Sequence, residues 1–230
     1  MRTIAVVLAG GTGTRIGGDA PKQLVEIAGV PLIEHTIRSL HAVDAVDEIV
    51  VVMAAGHTDV IEAMRDRYPK LSMVVDGGAT RADSSRLALA ALAAEDPDVN
   101  VLLHDAARPF VSARIVTECV EALASYDAVC VAVPAADTVI EVDGDLILAS
   151  PDRSRLRYAQ TPQGFRLSTI RKAYAAAAAD PDFAATDDSG VVLRYLPDTP
   201  IHVVAGDERN VKVTHPVDLL LGEALIDGDR

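Results

Sequence analysis

The sequence predicts a doubly wound α/β fold with a mostly parallel sheet, and three observations carry that prediction. Short apolar runs recur along the first 133 residues, one-sided helical stripes separate them, and glycine-containing polar clusters follow several of the runs directly. Strands buried on both faces of a parallel sheet are nearly continuous in Val, Ile and Leu rather than alternating. Residues 3–8, 48–53, 71–75, 100–104 and 128–133 have that form. Between them, Ile33, Ile37 and Leu40 fall at i, i+4 and i+7, while Ile115, Cys119, Val120 and Leu123 make a comparable stripe. Residues 83–94 are rich in alanine and leucine, as suits a third helix laid on the sheet. Ligands of such a sheet bind at the carboxyl ends of its strands.

The pattern breaks over 134–160, which is mostly polar and carries Asp143-Gly144-Asp145 as a hairpin-turn signal. This stretch is too poor in apolar residues to form its own core, so it reads as a protruding β-arm buried against a second subunit. Further on, the alanine-rich Tyr174–Ala179 reads as a plain helix end. At 230 residues the chain has room for one sizeable domain, 1–230, with the arm as its dimerisation element.

Composition excludes several classes. A formal charge of −13 argues against nucleic-acid binding. No apolar run reaches the length of a membrane span, and the N-terminal apolar stretch is too short for a secretory signal, so the chain reads as cytoplasmic. The two cysteines, Cys119 and Cys130, read as small core residues rather than redox or zinc groups.

Three strand ends carry chemistry. The first runs into Leu8-Ala9-Gly10-Gly11-Thr12-Gly13-Thr14-Arg15, followed by Pro21-Lys22-Gln23. Glycines after a strand let backbone N–H groups approach phosphate oxygens. A dinucleotide fingerprint fails because Ile16 stands where a third glycine is needed, and a P-loop fails because Asp19 stands where lysine is required. What remains is a glycine loop flanked by the cations Arg15 and Lys22. The second cluster, Gly77-Gly78-Ala79-Thr80-Arg81-Ala82-Asp83-Ser84, exposes backbone to a ligand, and Asp83 or Ser84 can alternatively cap the next helix. The third is His104-Asp105-Ala106-Ala107-Arg108-Pro109. Its carboxylate suits a divalent cation or a sugar hydroxyl and its arginine a phosphate; a local Asp105–Arg108 ion pair is the alternative, and the two can coexist. His104 is the one histidine within a motif and is expected to be structural.

These clusters, with Asp137-Thr138, Gln160-Thr161-Pro162-Gln163-x-Phe165 and Asn210-x-Lys212-Val213-Thr214, occur in one order across nearly the whole chain. In that order they resemble the 2-C-methyl-D-erythritol 4-phosphate cytidylyltransferases, of the nucleotide-diphospho-sugar transferase-like α/β type. The resemblance implies transfer of CMP from CTP to a polyol phosphate with release of pyrophosphate, and a homodimer formed through the arm. It implies that Arg15 and Lys22 are catalytic and that Ala9, Gly10, Gly11, Gly13, Gly78, Arg81, Ser84 and Ala106 bind CTP. It implies that Asp105, Arg108, Thr138, Arg153, Thr161 and Lys212 bind the acceptor, with Mg²⁺ on the triphosphate beside Asp105. Two departures are visible. The wording Ala9-Gly10-Gly11 looks more like the related ribitol-5-phosphate cytidylyltransferases, and Ala79 stands where a polar or acidic residue is usual. Ribitol 5-phosphate is therefore the alternative acceptor.

Overall fold

The computed structural model describes residues 1–11 and 21–228, so Gly13 and Arg15 lie outside the described residues. Five strands form where the apolar runs predict them: β1 (Thr3–Ala9), β4 (Glu48–Met53), β5 (Leu71–Asp76), β6 (Asn100–Asp105) and β7 (Ala128–Pro134). Two more, β10 (Arg157–Arg166) and β11 (Ile201–Ala205), complete a seven-stranded sheet in the order β11-β7-β10-β6-β1-β4-β5. All neighbours run parallel except β10, which is antiparallel to both β6 and β7. β2 (Glu26–Ile27) and β3 (Val30–Pro31) make a small hairpin.

Strand pleating divides the core in two. Ala5, Val7 and Ala9 of β1 face one cluster, while Ile4, Val6 and Leu8 face the other. The first is closed by α1 (Leu32–His41) and α4 (Ala113–Ala122) through Ile33, Ile37, Leu40, Ile115 and Cys119, with Ile61 of α2 (Thr58–Glu62) added. The second is closed by α3 (Arg81–Ala91), α5 (Leu167–Ala177) and α6 (Asp188–Tyr195) through Leu89, Leu167, Ile170 and Val192. Both faces are thus covered, which is why these strands read as continuous apolar runs. Truncating one fully buried leucine, such as Leu103, to alanine is expected to cost about 2–5 kcal/mol. Cys119 lies in the first cluster, where burial pushes its thiol up to about 12, as an inert core residue requires.

Parallel strands bring their carboxyl ends to one edge. Leu8 pairs with Asp105, Ala9 with Met53, and Met53 with Asp76. The loops leaving β1 and β5 meet there: a Cβ on Gly77 would lie 2.6 Å from the Gly10 Cα, and one on Gly10 would lie 2.4 Å from the Ser84 Oγ. A larger residue at Gly77 would force the two backbones apart, and one at Gly10 would displace the Ser84 hydroxyl.

The 134–160 stretch has strand at both ends, because β7 runs to Pro134 and β10 begins at Arg157. Between them β8 (Glu141–Asp143) and β9 (Leu146–Ala149) pair as a separate hairpin, turning at Gly144 with φ 56° where the Asp-Gly signal falls. Every residue of both strands is exposed, including Val142, Leu146, Ile147 and Leu148. The last helix is α7 (Pro216–Gly228), and no helix among the described residues is long and apolar enough to cross a membrane.

Candidate active site

Two adjoining cavities open at the carboxyl edge of the sheet. The first, of about 320 Å³, is lined by Gly10, Gly11, Lys22, Gln23, Ala79, Thr80, Arg81, Ser84, Asp105, Ala107 and Lys212, among others. Its glycine wall is held by Gln23, whose Nε2 donates to the carbonyls of Ala9 at 3.0 Å and Gly11 at 2.8 Å. Lys22 sits at the start of a short 3-10 turn (Lys22–Leu24) and donates to the Val213 carbonyl at 2.6 Å, which draws the β1 loop and the 210–214 segment together. On the opposite wall α3 begins with a capping box in which Thr80 is the N-cap and Asp83 its reciprocal partner. Asp83 therefore takes part in the capping that its position allowed, with Thr80 as the cap itself. Ser84 instead links the loop to the helix, accepting the Gly78 N–H at 3.2 Å and donating to the Thr80 carbonyl at 3.1 Å.

Not every expected nucleotide contact faces this cavity. Ala106 is buried in the first core cluster, its N–H bonded to the Leu8 carbonyl and its carbonyl to the Thr36 hydroxyl, while Ala107 lines the cavity beside it. Ala9 is likewise buried, and Gly78 stands behind Ser84.

The second cavity, of about 200 Å³, is lined by Arg108, Gln160, Thr161, Gln163, Thr186 and Asp187, with Arg81, Asp105 and Lys212 in common with the first. Asp105 is the hinge between the two. Its Oδ1 accepts from the Arg81 Nε at 2.9 Å and its Oδ2 from the Lys212 Nζ at 2.6 Å. Burial alone would raise this carboxyl, but the charges of Arg81 and Lys212 hold it well below the usual carboxylate range, so it is an anion at neutral pH. The local Asp105–Arg108 pair left open by the sequence gives way to these two partners. Arg108 instead donates to the carbonyls of Asn210 at 2.7 Å and Ala159 at 3.4 Å, and its buried Nε has no hydrogen-bond partner.

The Thr161 hydroxyl accepts the Asp105 N–H at 3.0 Å and shares a hydrogen bond with the His104 Nδ1 at 3.1 Å, while the His104 Nε2 faces the Arg108 carbonyl at 3.0 Å. Burial pushes His104 down to about 4, so a neutral imidazole ties the Asp105 loop to β10. That is the structural role expected of it. Thr138 and Arg153 line neither cavity of their own chain, and the Arg153 guanidinium donates to the Ala136 carbonyl within the arm.

Several residues of the site carried no role in the sequence. Gln23, Gln160, Gln163 and Asn210 lie inside recognised motifs and act by locking loops: Asn210 Nδ2, for instance, donates to the carbonyls of Gln160's side chain and Thr161. Asp187 and Asp188 lie outside those motifs. Their one signal is the run Thr186-Asp187-Asp188-Ser189 ahead of an apolar helix, which marks a helix start. Asp187 fulfils it by capping Gly190 at 2.8 Å.

For a divalent cation the donor set is sparse. No group of three His, Cys, Asp or Glu side chains is placed to hold a metal among the described residues. One anionic carboxylate beside a polar cleft fits Mg²⁺ carried on phosphates, which keeps most of its shell from phosphate and water. It does not fit a closed protein cage.

The chain was compared with known proteins on this basis. Residues 3–228 match the family model described as 2-C-methyl-D-erythritol 4-phosphate cytidylyltransferase. The protein of that name from Thermobifida fusca is 52% identical over 98% of this chain and 93% of its own length. A bifunctional ribulose 5-phosphate reductase/CDP-ribitol pyrophosphorylase from Haemophilus influenzae is 36% identical over 97% of this chain but 48% of its own. Among solved structures, the 4-diphosphocytidyl-2C-methyl-D-erythritol synthase of Anaerococcus prevotii superposes with a TM-score of 0.85 at 30% identity, covering 98% of each chain. A match over nearly the full length, on a sheet whose carboxyl edge carries the expected motifs, places the chain in the 2-C-methyl-D-erythritol 4-phosphate cytidylyltransferase family.

Proposed function

We propose that this chain transfers CMP from CTP to 2-C-methyl-D-erythritol 4-phosphate, with CTP in the larger cavity and the acceptor in the smaller. The observation that carries this reading is the junction of the two cavities at Asp105, where two cations that line both cavities converge on one carboxylate. An oxygen of the acceptor phosphate attacks the α-phosphorus of CTP as the α–β bridging bond breaks. Pyrophosphate leaves with that electron pair. The attacking phosphate is already an anion, so no general base is required. The work left to the protein is to align two polyanions and neutralise charge at the α-phosphorus.

Lys22 is held at the mouth of the glycine loop, and with Arg15 it would serve the triphosphate. Arg108 and Lys212 would receive the acceptor phosphate, and Asp105 an acceptor hydroxyl. Mg²⁺ on the triphosphate, with Asp105 as its protein carboxylate, would add positive charge at the phosphates. These cations reverse the sign of the field in a chain of net charge −13.

The chain acts as one domain over 1–230, in the cytoplasm where CTP is made, and as a homodimer through the 134–160 arm. The support is the hairpin itself: Leu146 is 73% exposed and Ile147 66% exposed, on an element without a core. A second copy's arm would bring Thr138 and Arg153 to the acceptor cavity. The direct test is pyrophosphate release with CTP and, in parallel, 2-C-methyl-D-erythritol 4-phosphate or ribitol 5-phosphate. Faster release with the first acceptor is expected. Preference for ribitol 5-phosphate would move the chain to the acceptor of its 36% identical relative.

A further inference from the structure

Asp188 is a fully buried carboxylate that the proposed reaction does not touch. It opens α6, and the carbonyl of the Gln163 side chain accepts its N–H at 3.0 Å, fixing the helix start to β10. The Tyr174 hydroxyl donates to its Oδ1 at 2.7 Å. Its Oδ2 pairs with the Arg81 Nη1 at 2.7 Å, while the Nε of the same guanidinium holds Asp105. Arg81 therefore spans two carboxylates, one in the core and one at the junction of the cavities.

The two cations on Asp105 are held differently. Arg81 is 25% exposed and has a second anion behind it, whereas Lys212 is 44% exposed and its ion pair is with Asp105. We propose that Asp188 is a positioning residue, anchoring Arg81 so that it stays on Asp105 when a phosphate arrives, while Lys212 is the cation that exchanges Asp105 for the acceptor phosphate. Without Asp188, Arg81 would be drawn to the incoming phosphates and Asp105 would lose its fixed orientation. This rests on the assignment of CTP and the acceptor to the two cavities.

A double-mutant cycle tests it, with Asp188→Asn, Arg81→Gln and both together, read in kcat and independently in CTP affinity by calorimetry. Asp188→Asn should lower kcat by roughly 10²-fold, as misplacement of a reacting group by about 1 Å can do. The double variant should be no slower than Arg81→Gln alone, because Asp188 acts only through Arg81. Arg81→Gln alone leaves Asp188 a buried anion without its cation, whereas removing both charges leaves none. The double variant is therefore expected to fold even where either single variant fails, and its kcat is then read against Tyr174→Phe, which keeps both charges. Tyr174→Phe strips a hydrogen bond from the same carboxylate and should lower Tm while leaving kcat within about twofold. Additive losses in both readouts, or a kcat loss in Tyr174→Phe equal to that in Asp188→Asn, would overturn the role. If the unaltered protein released no pyrophosphate with either acceptor, the proposed function would fail, and the calorimetric cycle would still decide the role of Asp188.

Discussion

The cleft and the arm invert the usual distribution of side chains in opposite senses. In the cleft and directly behind it, Asp105, Gln23, Gln163, Asn210 and Asp188 are polar and buried, each held by named partners. On the arm, Val142, Leu146, Ile147 and Leu148 are apolar and exposed, on a hairpin that forms its own two-stranded sheet. Buried polar groups held by hydrogen bonds and ion pairs from several elements favour one geometry, which phosphate chemistry needs. Exposed apolar groups on an isolated hairpin are what the proposed dimer would cover. The described side chains of the first region find their partners within one chain, and on the proposed reading the second finds its own on another copy.

The largest effect is expected where charge grows during the reaction. Lys22→Ala and Arg15→Ala should each lower kcat by roughly two to three orders of magnitude with a smaller change in CTP affinity. Steady-state kinetics at saturating substrates checks this, and near-normal turnover in either variant would remove that residue from catalysis.

The arm should respond through assembly. Replacing Leu146 and Leu148 by aspartate together should shift the protein to monomer in light scattering, since burying each leucine is worth about 1.5–3 kcal/mol. The acceptor KM should rise while CTP affinity holds. An unchanged dimer would place the interface elsewhere.

Acid should weaken the cleft. His104 is kept neutral by burial, with the proton bound at about 4 in the fold against 6.5 when exposed. Between those values the unfolded chain binds more protons, so stability is full above 6.5 and falls as the pH drops toward 4. The gap corresponds to about 3 kcal/mol. Asp105, held below the ordinary 3.8, adds a further loss of the same sign once the pH falls below that value. Urea midpoints measured from pH 7 to pH 4 should trace the decline, and His104→Gln should flatten it.

The smallest effect belongs to the cap of α3. Thr80→Ala removes the capping box and should cost about 1 kcal/mol, seen as a drop of a few degrees in Tm.

Four of the five strands legible in the sequence are largely buried on both faces, where near-continuous Val, Ile and Leu leave no ambiguity, and the fifth, β5, was legible at the sheet edge through Met73, Val74 and Val75. β10 was hidden because its sequence, Arg-Tyr-Ala-Gln-Thr-Pro-Gln-Gly-Phe-Arg, is polar. Gln160, Thr161 and Gln163 nevertheless lie buried there, since each finds partners far along the chain: a loop for Gln160, β6 for Thr161 and the start of α6 for Gln163. β11 is a short edge strand with one of its five residues buried, so it shows neither pattern. Lys22, Arg81, Asp105 and Lys212 were legible as site residues because each sits in a strand-end motif. The pairing of Asp105 with Arg81 and Lys212 rather than Arg108 was not, because three-dimensional placement decides which cation reaches a carboxylate. Asp188 escaped for the same reason: as sequence it is one of two acids before a helix, and only the fold buries one and caps with the other.

The central claim is that these two inverted regions are parts of one site, with the cleft from one chain and the arm from its partner. Mixing Lys22→Ala subunits with Arg153→Ala subunits tests it most directly. After confirmed subunit exchange, half the dimers would be mixed and each would hold one intact composite site. Pyrophosphate release should then return to about a quarter of the native rate, as two-fold symmetry requires. No recovery after exchange, or full activity in a protein that stays monomeric at the assay concentration, would contradict the account.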